Sequence, residues 1–187
     1  MNIPNTLTLL RIALIPIFVA AFYLPVKWNH LLACAVFSLA ALTDLLDGYL
    51  ARKLGQISRL GEFLDPVADK LMVAVALVLL VQQHPTIWLA LPSAVIIGRE
   101  ITISALREWM AELGARSKVA VSIYGKIKTI AQMIALILLI FHENLLGLPI
   151  YDIGLFFLYT AAVITLWSMF QYLASAWPRL KESNTKQ

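Results

Sequence analysis

The sequence predicts an all-α, polytopic integral membrane protein: six transmembrane helices, both termini cytoplasmic, and the active site at the cytoplasmic end of the bundle. Three observations carry this expectation. First, 60% of the 187 residues are hydrophobic and only 14% are charged, with a mean hydropathy of +0.80. A soluble domain runs nearer 45–50% apolar and about 25% charged, and a chain this short cannot hide the excess in one core. Second, apolar stretches fall at roughly 6–25, 31–52, 64–82, 86–110, 121–141 and 151–177, each able to cross about 30 Å of hydrocarbon at 1.5 Å per residue. Third, basic residues are strongly one-sided along that alternation. Eight glycines, eight prolines and one cysteine exclude a collagen-like repeat and a disulfide scaffold. With six spans in so short a chain, residues 1–187 form a single membrane domain.

The spans read as helices because they are long apolar runs without period-two alternation, and in lipid the backbone must satisfy its own hydrogen bonds. The first span carries no charge before Arg11 and lacks a small-residue cleavage site, so it reads as a retained helix. Breaks are expected at Pro25 to His30, at His84-Pro85, from Gly114 to Lys118 and from Glu143 to Pro149. Pro16 and Pro92 lie inside spans, where neighbouring helices tolerate them. The ten polar residues at the C-terminus are expected to fray.

With the N-terminus inside, the cytoplasmic segments hold Arg52, Lys53, Arg59, Arg107, Arg116, Lys118, Lys126, Lys128, Arg179, Lys181 and Lys186; the opposite side holds only Lys27. The positive-inside rule then decides the orientation. His30, His84 and His142 all fall on the outer side, away from these cations. Cys34, the single cysteine, reads as a small packing residue.

Four acids stand out. Asp44 and Asp47 lie near the cytoplasmic end of the second span, Asp65 and Asp69 near the cytoplasmic start of the third. Spacings of three and four put each pair on one helical face. The short connection makes the two helices antiparallel neighbours, so the pairs meet at one depth. Four carboxylates at a membrane edge need compensation. Arg52 and Lys53, or protonation, could supply some of it, and Asp65 before Pro66 could be only a helix N-cap. Divalent metal compensates better: hard oxygen donors without Cys or cytoplasmic His suit two Mg²⁺ or Mn²⁺ ions rather than zinc. The surrounding small residues complete the pattern Asp44-x2-Asp47-Gly48-x2-Ala51-Arg52-x8-Gly61-x3-Asp65-x3-Asp69.

This segment resembles the signature of the CDP-alcohol phosphotransferases at every specified position. Three further stretches resemble the branch of that family that makes phosphatidylglycerophosphate: Asn2 to Thr8, Gly98-Arg99-Glu100 through Glu108, and Gly125 to Thr129. The resemblance implies a six-helix membrane enzyme that transfers a phosphatidyl group from CDP-diacylglycerol to an alcohol, here glycerol-3-phosphate, and releases CMP. It further implies that Asp44, Asp47, Asp65 and Asp69 hold two divalent ions, with Asp69 also the general base. Gly48, Ala51 and Gly61 would accommodate cytidine and ribose, with Arg52 near the diphosphate.

The acceptor's phosphate needs cations, and Arg107, Lys126, Lys128 and Arg116 lie at the right depth. Topology and anionic lipid compete as reasons for these residues, most strongly for Arg116. Asn5, Thr8 and Arg11 share a stripe of the first span; Asn5 and Thr8 either contact the donor headgroup or cap the helix. Arg99 and Glu100 lie inside the fourth span, where ions are usually functional. As adjacent residues they point about 100° apart and need not pair with each other. Lys70, next to Asp69, is expected to face away from the metals.

The expected partners are CDP-diacylglycerol, glycerol-3-phosphate and membrane lipid, with a homodimer plausible from the resemblance and no nucleic acid. The expected location is the cytoplasmic (inner) membrane, with the site facing the cytoplasm. Rival acceptors are inositol phosphate, serine or phosphatidylglycerol. A divalent-cation transporter is disfavoured, because the outer halves of the spans are nearly free of ionisable residues.

Overall fold

The computed structural model describes residues 3–54, 59–112, 123–145 and 147–184. Side chains at 3–4, 45, 47–52, 54, 59–60, 62, 111–112, 123–126 and 175–184 lie outside the described residues. The described chain is helical: α1 (Ile3–Tyr23), α2 (Asn29–Leu54), α3 (Arg59–Gln83), α4 (Ile87–Glu112), α5 (Ile123–Phe141) and α6 (Ile150–Asn184). Three of these contain stretches long and apolar enough to cross a membrane: Asn5–Tyr23, Ile87–Met110 and Ile150–Ala174. Asn29–Asp44 and Ile127–Phe141 are shorter apolar stretches.

The expected breaks after Pro25, at His84-Pro85 and around Gly147 all separate helices. Gly147 adopts φ 80° and His142 φ 42°, the left-handed region that lets the chain reverse between α5 and α6. Two boundaries differ from expectation. Helix α3 begins at Arg59, so Pro66 lies inside it and Asp65 is an interior residue rather than an N-cap. Pro66 has no N–H, which leaves a backbone carbonyl one turn earlier without its helical partner. Helix α6 runs on to Asn184, through most of the polar tail expected to fray.

The six helices close a ring in the order α1, α2, α5, α6, α4, α3, with α3 also reaching α5 across the middle. Among the described residues α2 and α3, expected as antiparallel neighbours, do touch, but only slightly, and α1 packs against both. On the other side of the ring, α4 and α5 do not approach each other among the described residues. Phe18, Phe37, Leu77, Leu80, Leu89, Leu136, Leu139 and Leu158 fill the centre. Leu9, Ile17, Leu39, Val78, Ile101, Phe156 and Val163 stay exposed on the outside. Apolar residues both inside and outside are what a lipid-facing bundle requires.

Candidate active site

Helix α1 supplies the polar floor. Thr8 and Arg11 lie three residues apart on one face, and both are almost fully buried. Arg11 Nη1 lies 2.7 Å from Asp44 Oδ1 of α2, and Thr8 Oγ1 donates a hydrogen bond to Asp65 Oδ1 of α3. The first helix thus joins the two carboxylate-bearing helices that barely touch directly. A charged hydrogen bond of this kind contributes roughly 1.5–3 kcal/mol.

Beside this floor lies a cavity of about 440 Å³ whose lining includes Asp44, Asp65 and Asp69 on one side and Arg99, Arg107 and Lys128 on the other. Thr129 and the buried Gln132 of α5 also line it. Gly61 is buried at the start of α3. Three of the four signature aspartates are therefore brought to one chamber. The side chains of Asp47, Gly48, Ala51, Arg52 and Lys126, and the whole of Arg116 and Lys118, lie outside the described residues.

The cation side is cross-linked to neighbouring helices. Glu100 Oε1 accepts from Lys128 Nζ of α5 and from Arg99 Nη1, 3.1 Å away. Arg99 Nη2 continues to Ser168 Oγ of α6 at 2.9 Å. Arg99 and Glu100, which helical phase alone leaves free to pair or not, do pair, because long side chains on successive residues can converge. Arg107 Nε donates to the Tyr172 hydroxyl at 3.2 Å, and its guanidinium lies 5.5 Å from that ring's centroid. Lys70 sends its ammonium to Ser104 of α4, yet it borders the same cavity, so it does not turn fully away from the aspartates. Gln132, Ser168 and Tyr172 had no sequence signal beyond being polar residues in apolar helices, whereas Ser104 lies in the family-like stretch that ends at Glu108.

The chamber opens laterally into two apolar grooves. One, of about 530 Å³ between α3 and α4, is lined by Val67, Leu71, Ala74, Ile97 and Ile101 and shares Pro66, Lys70, Val73 and Glu100 with the chamber. The other, about 340 Å³ between α2 and α5, shares Asp44, Thr129 and Met133 with it. The chamber is thus polar and both of its side openings are apolar.

The donor set bears on metal binding. The described donors are all carboxylate oxygens, the kind that Mg²⁺ and Mn²⁺ take. Among the described residues no three of them close to common ligation distance; Asp44 and Asp65 each have one oxygen engaged, by Arg11 and Thr8, and a second beside it. In kind, the donors fit a hard divalent ion.

Carboxylates and cations thus line one chamber inside the helical bundle. The sequence family described as CDP-alcohol phosphatidyltransferase matches residues 1–167. The chain belongs to that family. It is 56% identical over 188 residues to a Pseudomonas fluorescens protein named CDP-diacylglycerol–glycerol-3-phosphate 3-phosphatidyltransferase, covering 100% of this chain and 96% of that one. Proteins of the same name from Pectobacterium atrosepticum and Escherichia coli K12 are 58% and 56% identical, each over 94% of both chains.

Proposed function

We propose that this protein transfers the phosphatidyl group of CDP-diacylglycerol to glycerol-3-phosphate, giving phosphatidylglycerophosphate and CMP. The observation that carries the reading is the single chamber in which Asp44, Asp65 and Asp69 face Arg99, Arg107 and Lys128. Near-full-length similarity to relatives bearing that enzyme's name supports the choice of donor and acceptor.

The division of labour follows from charge. Asp44, Asp47, Asp65 and Asp69 hold two Mg²⁺ or Mn²⁺ ions, which when bound neutralise the diphosphate oxygens of the donor and the charge on departing CMP. Gly48, Ala51 and Gly61 leave room for cytidine and ribose. Arg52, Asn5 and Thr8 lie toward the donor headgroup. Arg107 and Lys128, with Lys126 and Arg116, attract the acceptor's phosphate. Asp69 takes the proton from the acceptor hydroxyl, whose oxygen forms a bond to the β-phosphorus. The bond from that phosphorus to the bridging oxygen breaks, and CMP leaves with the electron pair. The donor's acyl chains occupy the apolar groove between α3 and α4, whose mouth is the chamber itself.

All six helices cross the cytoplasmic membrane in this reading, with both ends and the chamber on the cytoplasmic side, where the basic residues cluster. A soluble acceptor then arrives from water while the lipid donor enters sideways. A two-fold homodimer is the assembly this reading carries forward.

The test is CMP release by protein purified in detergent with CDP-diacylglycerol and Mg²⁺. Release is expected only with glycerol-3-phosphate. Activity with inositol phosphate or serine instead would overturn the acceptor, and no release with any acceptor would overturn the reaction. Asp69→Asn is expected to slow release by about 10²–10⁴-fold, the usual contribution of a general base, while melting like the parent. A near-normal rate would remove Asp69 from that role.

A further inference from the structure

Among the described residues, helices α4 and α5 line the chamber without approaching each other, yet Lys128 of α5 reaches over to Glu100 of α4. Its ammonium is in a contested position. Asp69 also lies within electrostatic reach of Lys128 and lines the same chamber. Lys128 is only 9% exposed, so water cannot readily take the place of a carboxylate partner; without Glu100, Asp69 is a carboxylate of the same chamber whose charge already reaches it.

Glu100 is well built to win this contest. Arg99 Nη1 lies 3.1 Å from the same oxygen, Oε1, that Lys128 uses. Arg99 is itself pinned to Ser168 of α6, which in turn donates to the Thr165 carbonyl at 2.9 Å. The carboxylate is thus fixed by a chain of contacts running back into α6, and it sits on the wall opposite the aspartates. A fixed carboxylate there holds a mobile ammonium at a distance from a carboxylate that has other work.

We infer that Glu100 is a positioning residue that keeps Lys128 on the acceptor side of the chamber and off Asp69, leaving the Asp69 carboxylate open to a divalent cation. The inference rests on the proposed metal-binding role of the aspartates. It makes Glu100 act through Lys128, so the effects of the two residues must be coupled rather than additive.

The experiment is Mn²⁺ binding to the full-length protein in detergent, read by the electron paramagnetic resonance signal of free Mn²⁺, with no substrate present. Four proteins are compared: the parent, Glu100→Gln, Lys128→Met and the double variant. In Glu100→Gln the ammonium moves to Asp69, and the Mn²⁺ concentration for half-saturation rises roughly tenfold, the scale of one unit charge brought within a few ångströms. Lys128→Met binds Mn²⁺ at least as tightly as the parent, and the double variant matches Lys128→Met within about twofold.

Two results would overturn the inference. Equal weakening by Glu100→Gln in both backgrounds would mean that Glu100 acts only by its own charge. Weakening by Lys128→Met as great as by Glu100→Gln would mean that the pair is merely a strut between α4 and α5. A parent protein that binds no Mn²⁺, or binding unaffected by Asp69→Asn, would instead overturn the underlying metal reading.

Discussion

Gly154 of α6 lies against Leu139 of α5, where a Cβ would meet Leu139 Cγ at 2.9 Å, its Cδ2 at 3.1 Å and Leu138 Cβ at 3.2 Å. Leu139 is fully buried, so it cannot swing aside. Gly154→Ala therefore forces the two helices apart by about half an ångström, an overpacking cost of roughly 1–3 kcal/mol. The better helix propensity of alanine offsets about 1 kcal/mol of that, leaving a net loss near 1 kcal/mol. For a chain of this size that is a fall of about 2–4 °C in Tm. Gly98 of α4 is the internal control, because a Cβ there meets nothing within 4 Å. Gly98→Ala keeps the propensity gain alone and should melt at or slightly above the parent. The assay is tryptophan fluorescence during heating in detergent, with CMP release at low temperature to show an intact site. Both variants moving in the same direction, or Gly154→Ala melting no lower than the parent, would refute the close α5–α6 approach.

Other expectations follow from the two ends of the bundle. Asp44→Leu should destabilise more than Arg11→Met: the first leaves a guanidinium 2% exposed without that carboxylate, the second a carboxylate 35% exposed at a cavity edge. Equal Tm losses for the two would contradict the burial asymmetry. At the opposite end, His30, His84 and His142 cluster, with ring centroids 5.2 Å apart for His30–His142 and 5.8 Å for His84–His142. Glu143 lies 3.1 Å from His30. Burial, and then His142, push the His84 pKa below its ordinary 6.5. A depressed folded-state pKa contributes stability that is present above 6.5 and is lost as pH falls through the lower folded value. The Tm should therefore drop on acidification below 6.5, and His84→Gln should flatten that drop; an unchanged slope would remove His84 as its source. Gly147→Ala, at φ 80°, should cost about 1–2 kcal/mol in Tm measurements.

Much of the fold was legible because its determinants are local. Apolar runs and turn residues mark three of the helix junctions, the break expected from Gly114 to Lys118 lying outside the described residues, and the spacing of Asp65 and Asp69 puts both on one face of α3. What was illegible is tertiary. A short connection between α2 and α3 suggested direct packing, but chain length only bounds distance and does not forbid a third helix between them. The intervening α1 makes Thr8, read as a cap or donor contact, a partner of Asp65, and Arg11 of the same stripe a partner of Asp44. The Arg99–Glu100 pair was left open for a related reason. Helical phase describes where Cβ atoms point, whereas long side chains bend toward whatever charge the neighbouring helices offer. The three histidines were correctly grouped on one side, but their ring contacts depend on how the connections fold back. No spacing rule reports that.

The ion pair between Arg11 and Asp44 also bears on how the protein is made. An arginine in the middle of an apolar helix costs roughly 2.5–3.5 kcal/mol to insert by itself. Its partner is 33 residues further along, and no other described helix separates the two in sequence. In the proposed six-span topology, α1 is best released together with α2 during synthesis, as a hairpin whose opposite charges travel as a pair. The carboxylate-bearing α3 would then be laid against a surface on which Arg11 and Asp44 are already paired, with Thr8 ready to meet Asp65.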